Sequence, residues 1–192
     1  TQCKAVQEMY EITKKETVWE GKFLRGVSVT YRDSEGALRQ WETVERVNCE
    51  GIVAIVPMTG SGEVILIRQF RPAVNNYVIE FPAGLNDKGE RLEEAARREL
   101  LEETGYEPEE MIFLAQGPLS SGSSNELLSV YLAKGLRFTG VQGRDETEDI
   151  EVLEISLDRV DQELSRFAER GDYIDLKILG FIELAKKRVG KM

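Results

Sequence analysis

The sequence predicts a mixed α/β fold, with a short N-terminal strand unit (about residues 1–48) followed by an α/β domain (about 49–192). β-Branched and aromatic residues dominate the first half, where turn sequences such as 33–36 separate apolar runs. Apolar residues at helical spacing first occur after Gly84, and two more amphipathic segments close the chain. This order predicts an antiparallel sheet first and a mixed sheet covered by helices after it.

The predicted strands follow from these apolar runs. Segments 17–32 and 37–47 should form a hairpin, although the apolar residues of 37–47 fall three apart, which a helix also allows. The run 51–56 reads as a buried strand, and the turn 59–62 then predicts a second hairpin with 64–70. Further strands are expected at 77–81, 111–116, 127–133 and 150–155.

Three helices are expected. Segment 90–104 carries Leu92, Ala95, Ala96 and Leu100 at helical spacing, and Gly105 stands where a helix C-terminal cap belongs. The other two predicted helices span 158–170 and 172–188.

Composition excludes several classes of function. The chain has 35 acidic and 25 basic residues, a net charge of −10, which disfavours binding to nucleic acid. It has no histidine, which excludes His-ligated zinc and Ser-His-Asp triads. No apolar run approaches the ~20 residues of a membrane span, so we expect no membrane partner. Two cysteines do not make a disulfide framework, so we expect reduced thiols and a cytoplasmic location.

The most informative segment is 84–106. Glu99, Glu102 and Glu103 are spaced to share one helix face, where their charges repel unless a cation lies among them. Magnesium fits because it takes hard oxygen ligands and substrate phosphates, with manganese as the alternative ion. Glu90 and Arg98 are expected to form an orienting ion pair. The competing interpretation is a solvated acidic helix face.

This segment resembles the Nudix box: Gly, five residues, Glu, seven residues, Arg-Glu, an apolar residue, any residue, Glu-Glu, any residue, Gly, and an apolar or aromatic residue. Every fixed position matches. Segments 40–44 (QWETV), 68–73 (RQFRPA) and 79–84 (IEFPAG) are similar to the ADP-ribose pyrophosphatase branch of that superfamily. The resemblance implies an α/β/α sandwich with a mixed sheet. It also implies an N-terminal antiparallel sheet that swaps strands in a homodimer, with the active site at the interface.

The resemblance also assigns site residues. The metal would be held by the backbone carbonyl of Ala83 and by Glu99, Glu102 and Glu103, with Glu102 also counted among the catalytic residues. Glu80 falls near this cluster and would support it.

The substrate would be held by four residues. Trp41 would stack on the nucleobase and Phe23 would close the sandwich, unless both rings are ordinary core residues. Arg46 and Arg71 would meet the pyrophosphate, although a surface salt bridge also accounts for Arg46.

A general base is expected on the acidic loop 143–149, just before the strand 150–155. The family's Glu-x-Glu-x-Ile pattern points to Glu148, with Glu146 as the second candidate. A solvated acidic loop is the alternative.

The resemblance implies magnesium-dependent hydrolysis of the pyrophosphate bond of ADP-ribose or a related nucleoside diphosphate sugar, giving a nucleoside monophosphate and a sugar phosphate. The branch usually carries a Ser-Pro-Gly turn after the box, and Ser121 stands here in place of the proline. Broad nucleoside diphosphate sugar hydrolysis, with ADP-ribose a minor substrate, is therefore one alternative. A non-catalytic nucleotide-binding module is another, disfavoured because every box carboxylate is present.

Overall fold

The computed structural model describes residues 10–140 and 149–189, which form eleven strands and three helices. The chain divides into two compact units. Of the described residues, 10–49 and 117–127 belong to the first unit, and the others belong to the second. Within the described ranges, no helix is long and apolar enough to cross a membrane.

The first unit contains a three-stranded antiparallel sheet of β1 (Glu11–Glu20), β2 (Leu24–Arg32) and β3 (Leu38–Arg46), in that order. The predicted hairpin is therefore present as β2 and β3. The expectation of a single strand over 17–32 is wrong, because the chain turns between β1 and β2, where the N–H of Gly21 donates to the carbonyl of Leu24 at 2.8 Å. The charged residues Glu20 and Lys22, on either side of Gly21, mark this turn in the sequence.

A buried carboxylate fixes the register of the three strands. Glu45 on β3 accepts hydrogen bonds from Lys15 on β1 at 3.0 Å and from Arg25 on β2 at 3.0 and 3.2 Å. The bond from Lys15 and those from Arg25 outweigh burial and lower the pKa of Glu45 below its ordinary value. A slip of one residue would turn Glu45 to the other face and leave both cations without it.

The second unit contains two four-stranded sheets, ordered β7-β4-β9-β8 and β10-β5-β6-β11. The strands are β4 (Gly51–Pro57), β5 (Glu63–Arg71), β6 (Asn76–Glu80), β7 (Ala83–Asn86), β8 (Tyr106–Pro118), β9 (Leu127–Phe138), β10 (Ile150–Ser156) and β11 (Tyr173–Ile174). Both sheets are mixed, since β4 runs parallel to β9 and β11 runs parallel to β6, while other pairs are antiparallel. The predicted mixed α/β fold is confirmed.

The predicted second hairpin is wrong. The turn closes as expected, with a hydrogen bond from Thr59 N to Glu63 O at 2.9 Å and a bridge between Met58 and Val64. Beyond that bridge β4 and β5 join different sheets. Strand β4 and residues 64–67 of β5 are continuous apolar runs, and buried runs of this kind carry no alternation that would show which neighbour they pair with.

The helices are α1 (Leu92–Thr104), α2 (Val160–Glu169) and α3 (Lys177–Val189). Helix α1 ends as predicted at Gly105, whose φ of 78° is left-handed. The predicted start of the last helix at 172 is wrong, because residues 173–174 pair with β6 first. The carboxylate of Asp175 then accepts the N–H of Lys177 at 2.9 Å and caps the helix there.

Strand β4 is buried on both faces, which places α1 in the fold. Ile52, Ala54 and Val56 point into the larger core, which includes residues of β5, β9, α2 and α3. Val53 and Ile55 point to the opposite face and pack with Ala95, Ala96 and Leu100 of α1. This alternation holds the apolar side of α1 against the sheet.

Candidate functional site

The turn at Ala83 and Gly84 lies directly against α1. The buried carboxylate of Glu103 accepts the N–H of Ala83 at 3.0 Å. A Cβ at position 84 would lie 1.9 Å from the carboxyl carbon of Glu99, so only glycine leaves room for that side chain. Two carboxylates of the predicted metal face therefore border this turn.

Arg98 connects the acidic residues of the box. Its Nη2 and Nε donate to Glu90 at 2.5 and 2.9 Å, which confirms the predicted ion pair. Its Nη1 also donates to Glu99 at 2.8 Å and to Glu102 at 3.0 Å, contacts that the spacing alone did not indicate. Burial by itself would lower the pKa of Arg98, but these carboxylates raise it well above its usual value.

The donor set fits a hard divalent cation. Glu99, Glu102 and Glu103 offer carboxylate oxygens, the backbone carbonyl of Ala83 is the predicted fourth ligand, and such oxygens are what magnesium and manganese bind. Within 10–140 and 149–189, no three acidic, Cys or His side chains converge on one point as ligands of a single ion. Arg98 holds Glu99 and Glu102, and a common metal site needs them to rotate toward Glu103. The metal-binding roles of these residues remain predictions.

A second charged pair joins neighbouring strands of the other sheet. Arg71 on β5 donates from Nε to Glu80 on β6 at 2.7 Å. Burial raises the pKa of Glu80, and the bond from Arg71 offsets part of that rise. The side chain of Arg71 keeps 40% of its surface exposed, so its guanidinium remains accessible. The proposed phosphate contact of Arg71 and the supporting role of Glu80 stay predictions.

A group of four contacting side chains, from β5, β6 and the residues just before β10 and β11, was not predicted from the sequence. Arg68 donates from Nε and Nη2 to both oxygens of Asp172 at 2.8 and 2.9 Å, and its guanidinium lies 3.7 Å from the centre of the Tyr77 ring. The Tyr77 hydroxyl donates to Asp149 at 2.9 Å, and this bond raises the pKa of Tyr77. Because Arg68 and Asp172 stand 104 positions apart, no local pattern could pair them.

The candidate bases Glu146 and Glu148 lie outside the described residues. Asp149 is the first described residue after that gap, and β10 follows it directly.

The two candidate base-stacking rings lie far apart along the first unit's hairpin. Trp41 faces Val29 across β2 and β3. Phe23 lies in the β1–β2 turn, where its carbonyl accepts the N–H of Val47 at 3.0 Å. Six residues of strand, about 20 Å, separate the two positions along one hairpin, and the stacking roles of Trp41 and Phe23 remain predictions. The rings are 50% and 65% exposed, which argues against ordinary core packing.

Arg46 forms a salt bridge, as the alternative interpretation expected. Its Nε donates to Glu126 at 2.6 Å, and Glu126 is the last residue of the loop 120–126. The Arg46 side chain is 33% exposed and that of Glu126 is 16% exposed. This salt bridge does not test the predicted contact of Arg46 with the pyrophosphate, which remains a prediction.

Comparisons with known proteins agree with the box. The NUDIX domain model matches residues 50–175. An ADP-ribose pyrophosphatase of Bacillus subtilis is 33% identical over 145 residues, covering 75% of this chain and 77% of that protein. A methanol dehydrogenase activator of Bacillus methanolicus is 35% identical over 146 residues, covering 76% and 77%. A crystal structure of an ADP compounds hydrolase gives a TM-score of 0.70 at 27% identity, covering 82% of this chain and 83% of that one.

The chain belongs to the Nudix family. Its relatives place it in the branch of the ADP-ribose and ADP-sugar pyrophosphatases, as the resemblance implied. It is therefore an enzyme of the pyrophosphohydrolase class, in a family that uses divalent metal ions.

Proposed function

We propose that this chain hydrolyses the pyrophosphate bond of ADP-ribose, or of a related nucleoside diphosphate sugar, to a nucleoside monophosphate and a sugar phosphate. The observation that carries the proposal is the position of Glu99 and Glu103 at the Ala83–Gly84 turn, with Glu102 tied to Glu99 through Arg98. Two similar proteins named for ADP-ribose and ADP compounds support an ADP-containing substrate.

The ion that we propose is magnesium, with manganese as an alternative, held by Glu99, Glu102, Glu103 and the carbonyl of Ala83. When bound, such an ion neutralises charge on phosphate oxygens and lowers the pKa of a bound water. Arg98 then orients Glu99 and Glu102 from the side of Glu90. We expect activity to disappear on chelation and to return with added magnesium.

The substrate's diphosphate would be bound by Arg71 and Arg46. The bond from Arg71 to Glu80 fixes the guanidinium through Nε and leaves its terminal nitrogens for an oxyanion. Replacing Arg71 with alanine should raise KM more than it lowers kcat, because the guanidinium binds substrate and transition state alike. An unchanged KM would remove Arg71 from the site.

For the general base we propose Glu148, with Glu146 as the alternative. Removing a general base typically costs about 10²- to 10⁴-fold in rate. Glu148→Gln should lose kcat in that range, with little change in KM and with metal still bound. If Glu146→Gln alone is inactive, the base is Glu146. If both variants stay active, neither is the base.

We further propose a homodimer in which the substrate's nucleobase is held between Trp41 of one copy and Phe23 of the other. The wide separation of the two rings along one hairpin supports this arrangement. So does β1, because every one of its residues is exposed. Exposed apolar side chains on it include Ile12, Val18 and Trp19.

Co-expression of two variants with weakened nucleobase binding, assayed at a substrate concentration far below their KM, tests the shared site. Trp41→Ala and Phe23→Ala should each raise KM about 5- to 100-fold, as loss of one stacking partner does. Random pairing of the two chains gives mixed dimers in which one site is intact, so about a quarter of wild-type sites should return. No recovery, or light scattering that shows an active monomer, would refute the shared site.

A substrate panel tests the specificity. With magnesium and product identification, ADP-ribose should give the highest kcat/KM and should yield AMP and ribose 5-phosphate. Comparable rates on UDP- and GDP-sugars would instead favour the broad-specificity hydrolase, which the replacement of the usual proline by Ser121 allows. Tight nucleotide binding with no turnover of any substrate would favour a non-catalytic module. We also propose a cytoplasmic location, which the low cysteine content supports.

A further inference from the structure

The loop 120–126 is closed by its own hydrogen bonds. The carbonyl of Ser120 accepts the N–H groups of Ser123 and Ser124, both at 2.9 Å. The hydroxyls of Ser120 and Ser123 are hydrogen-bonded at 2.8 Å. Hydrogen bonds of serine hydroxyls and backbone groups thus constrain this turn, which has serine in place of proline at position 121.

The same loop is fastened to the edge of β3. The carbonyl of Ser123 accepts the N–H of Val44 at 2.8 Å and the hydroxyl of Thr43 at 3.2 Å. Val44 and Ser124 also form a parallel bridge. The loop therefore continues the three-stranded sheet beside β3, two residues before Arg46.

Glu126 ends this loop, and its carboxylate accepts hydrogen bonds from two side chains. One oxygen accepts Nε of Arg46 at 2.6 Å, and the other accepts the hydroxyl of Ser124 at 3.3 Å. The backbone of Glu126 is fixed too, because its carbonyl accepts the N–H of Leu119 at 3.0 Å. A carboxylate held in this way can fix the guanidinium that it binds.

The contact to Nε matters because an arginine carries five N–H donors in a planar fork. Glu126 takes the one at Nε, and the two terminal nitrogens are the pair that binds an oxyanion in bidentate fashion. We infer that Glu126 is a positioning residue that orients Arg46 toward the diphosphate oxygens of the substrate. This inference rests on the proposed role of Arg46 as a diphosphate ligand.

The competing explanation is that Glu126 merely neutralises Arg46 and thereby weakens substrate binding. Two substitutions separate the explanations. Glu126→Gln removes the charge and keeps the side-chain length, whereas Glu126→Asp keeps the charge and withdraws it by one methylene group. If Glu126 positions Arg46, Glu126→Asp should raise KM about 5- to 20-fold, and Glu126→Gln should raise it by a smaller factor because its amide oxygen can still accept Nε, with kcat within about 2-fold in both. If it only neutralises Arg46, Glu126→Gln should lower KM and Glu126→Asp should leave it unchanged.

A double-mutant cycle shows whether the effect passes through Arg46. In the Arg46→Ala background, Glu126→Gln should raise KM no further, because there is no guanidinium left to orient. Glu183→Gln is the matched control, since Glu183 is an exposed carboxylate on α3 that pairs with Lys186 at 3.1 Å. It should leave KM unchanged. Thermal midpoints of all variants show whether each one folds.

Three results overturn the inference. The first is a KM that falls or stays constant in both Glu126 variants. The second is a double variant in which the KM effects of Glu126→Gln and Arg46→Ala multiply independently. If Arg46→Ala leaves KM unchanged, the role of Arg46 in the proposed function fails as well. A rise in KM for Arg46→Ala alone overturns only the positioning role of Glu126.

Discussion

Replacing Glu103 with glutamine tests the metal face with little change in shape. The carboxylate is only 4% exposed and accepts the N–H of Ala83. The amide oxygen of glutamine can accept the same hydrogen bond, so the variant loses charge and keeps the contact. A hydrogen bond to a charged group contributes about 1 kcal/mol more than a neutral one. Since domains of this kind have about 5–15 kcal/mol of stability, the variant should fold.

Catalysis should fall much further than stability. Loss of a major electrostatic contributor typically lowers kcat by at least about 100-fold, which equals about 2.7 kcal/mol of transition-state stabilisation. Glu103→Ala should lose as much activity and in addition about 1–3 kcal/mol of stability, because it leaves a buried N–H at Ala83 without its acceptor. The assay is kcat at saturating ADP-ribose over a magnesium titration, with urea unfolding of each variant in parallel.

The matched control is Glu93→Gln on the same helix. Glu93 is 37% exposed and pairs with Arg97 at 3.4 Å, an interaction worth about 0.3–0.5 kcal/mol. It should keep full activity. If Glu103→Gln turns over at near the wild-type rate with saturating magnesium, the reasoning from the shared helix face is wrong.

Three further changes test the scaffold. The cationic partners of Glu45 lower its pKa in the folded protein, so on acidification the unfolded chain takes up a proton at Glu45 before the folded protein does. The stability that Glu45 contributes is therefore present above about pH 4.5 and is lost as the pH falls below that value. Glu45→Gln should therefore flatten the acid limb of a plot of unfolding free energy against pH. Asp172→Asn should cost about 2 kcal/mol in urea unfolding by weakening the bidentate bond from Arg68; no change would mean that the pair contributes nothing. Gly26→Ala places a Cβ 2.1 Å from the indole nitrogen of Trp19, so tryptophan emission should shift; an unchanged spectrum would contradict the contact.

The sequence predicted those parts of the fold that depend on local pattern. Helix α1 was predicted because its apolar spacing and its terminal Gly105 are properties of one continuous segment. The pairing of β4 and β5 was not predictable in the same way. Both strands are buried runs, and what decides their partners is the position of β9 and β6 elsewhere in the chain.

The candidate site shows the same division. The charges of Glu99, Glu102 and Glu103 could be placed on one face by counting along a helix. The position of Phe23 relative to Trp41 could not, because it depends on a turn that ends β1 and on the register of β2 against β3. Arg68 and Asp172 meet only because two distant segments are brought together by folding.

The contact between Gly84 and Glu99 has a consequence for how this enzyme can evolve. With Glu99 in the rotamer seen here, any side chain at position 84 requires the Glu99 carboxylate to move. A lineage that first lost Glu99 could accept alanine or serine at 84 without strain there. Restoring Glu99 alone would then return the carboxylate in a different rotamer. The residues at positions 84 and 99 are therefore coupled, and reversion in such a lineage restores the original arrangement only when both change together.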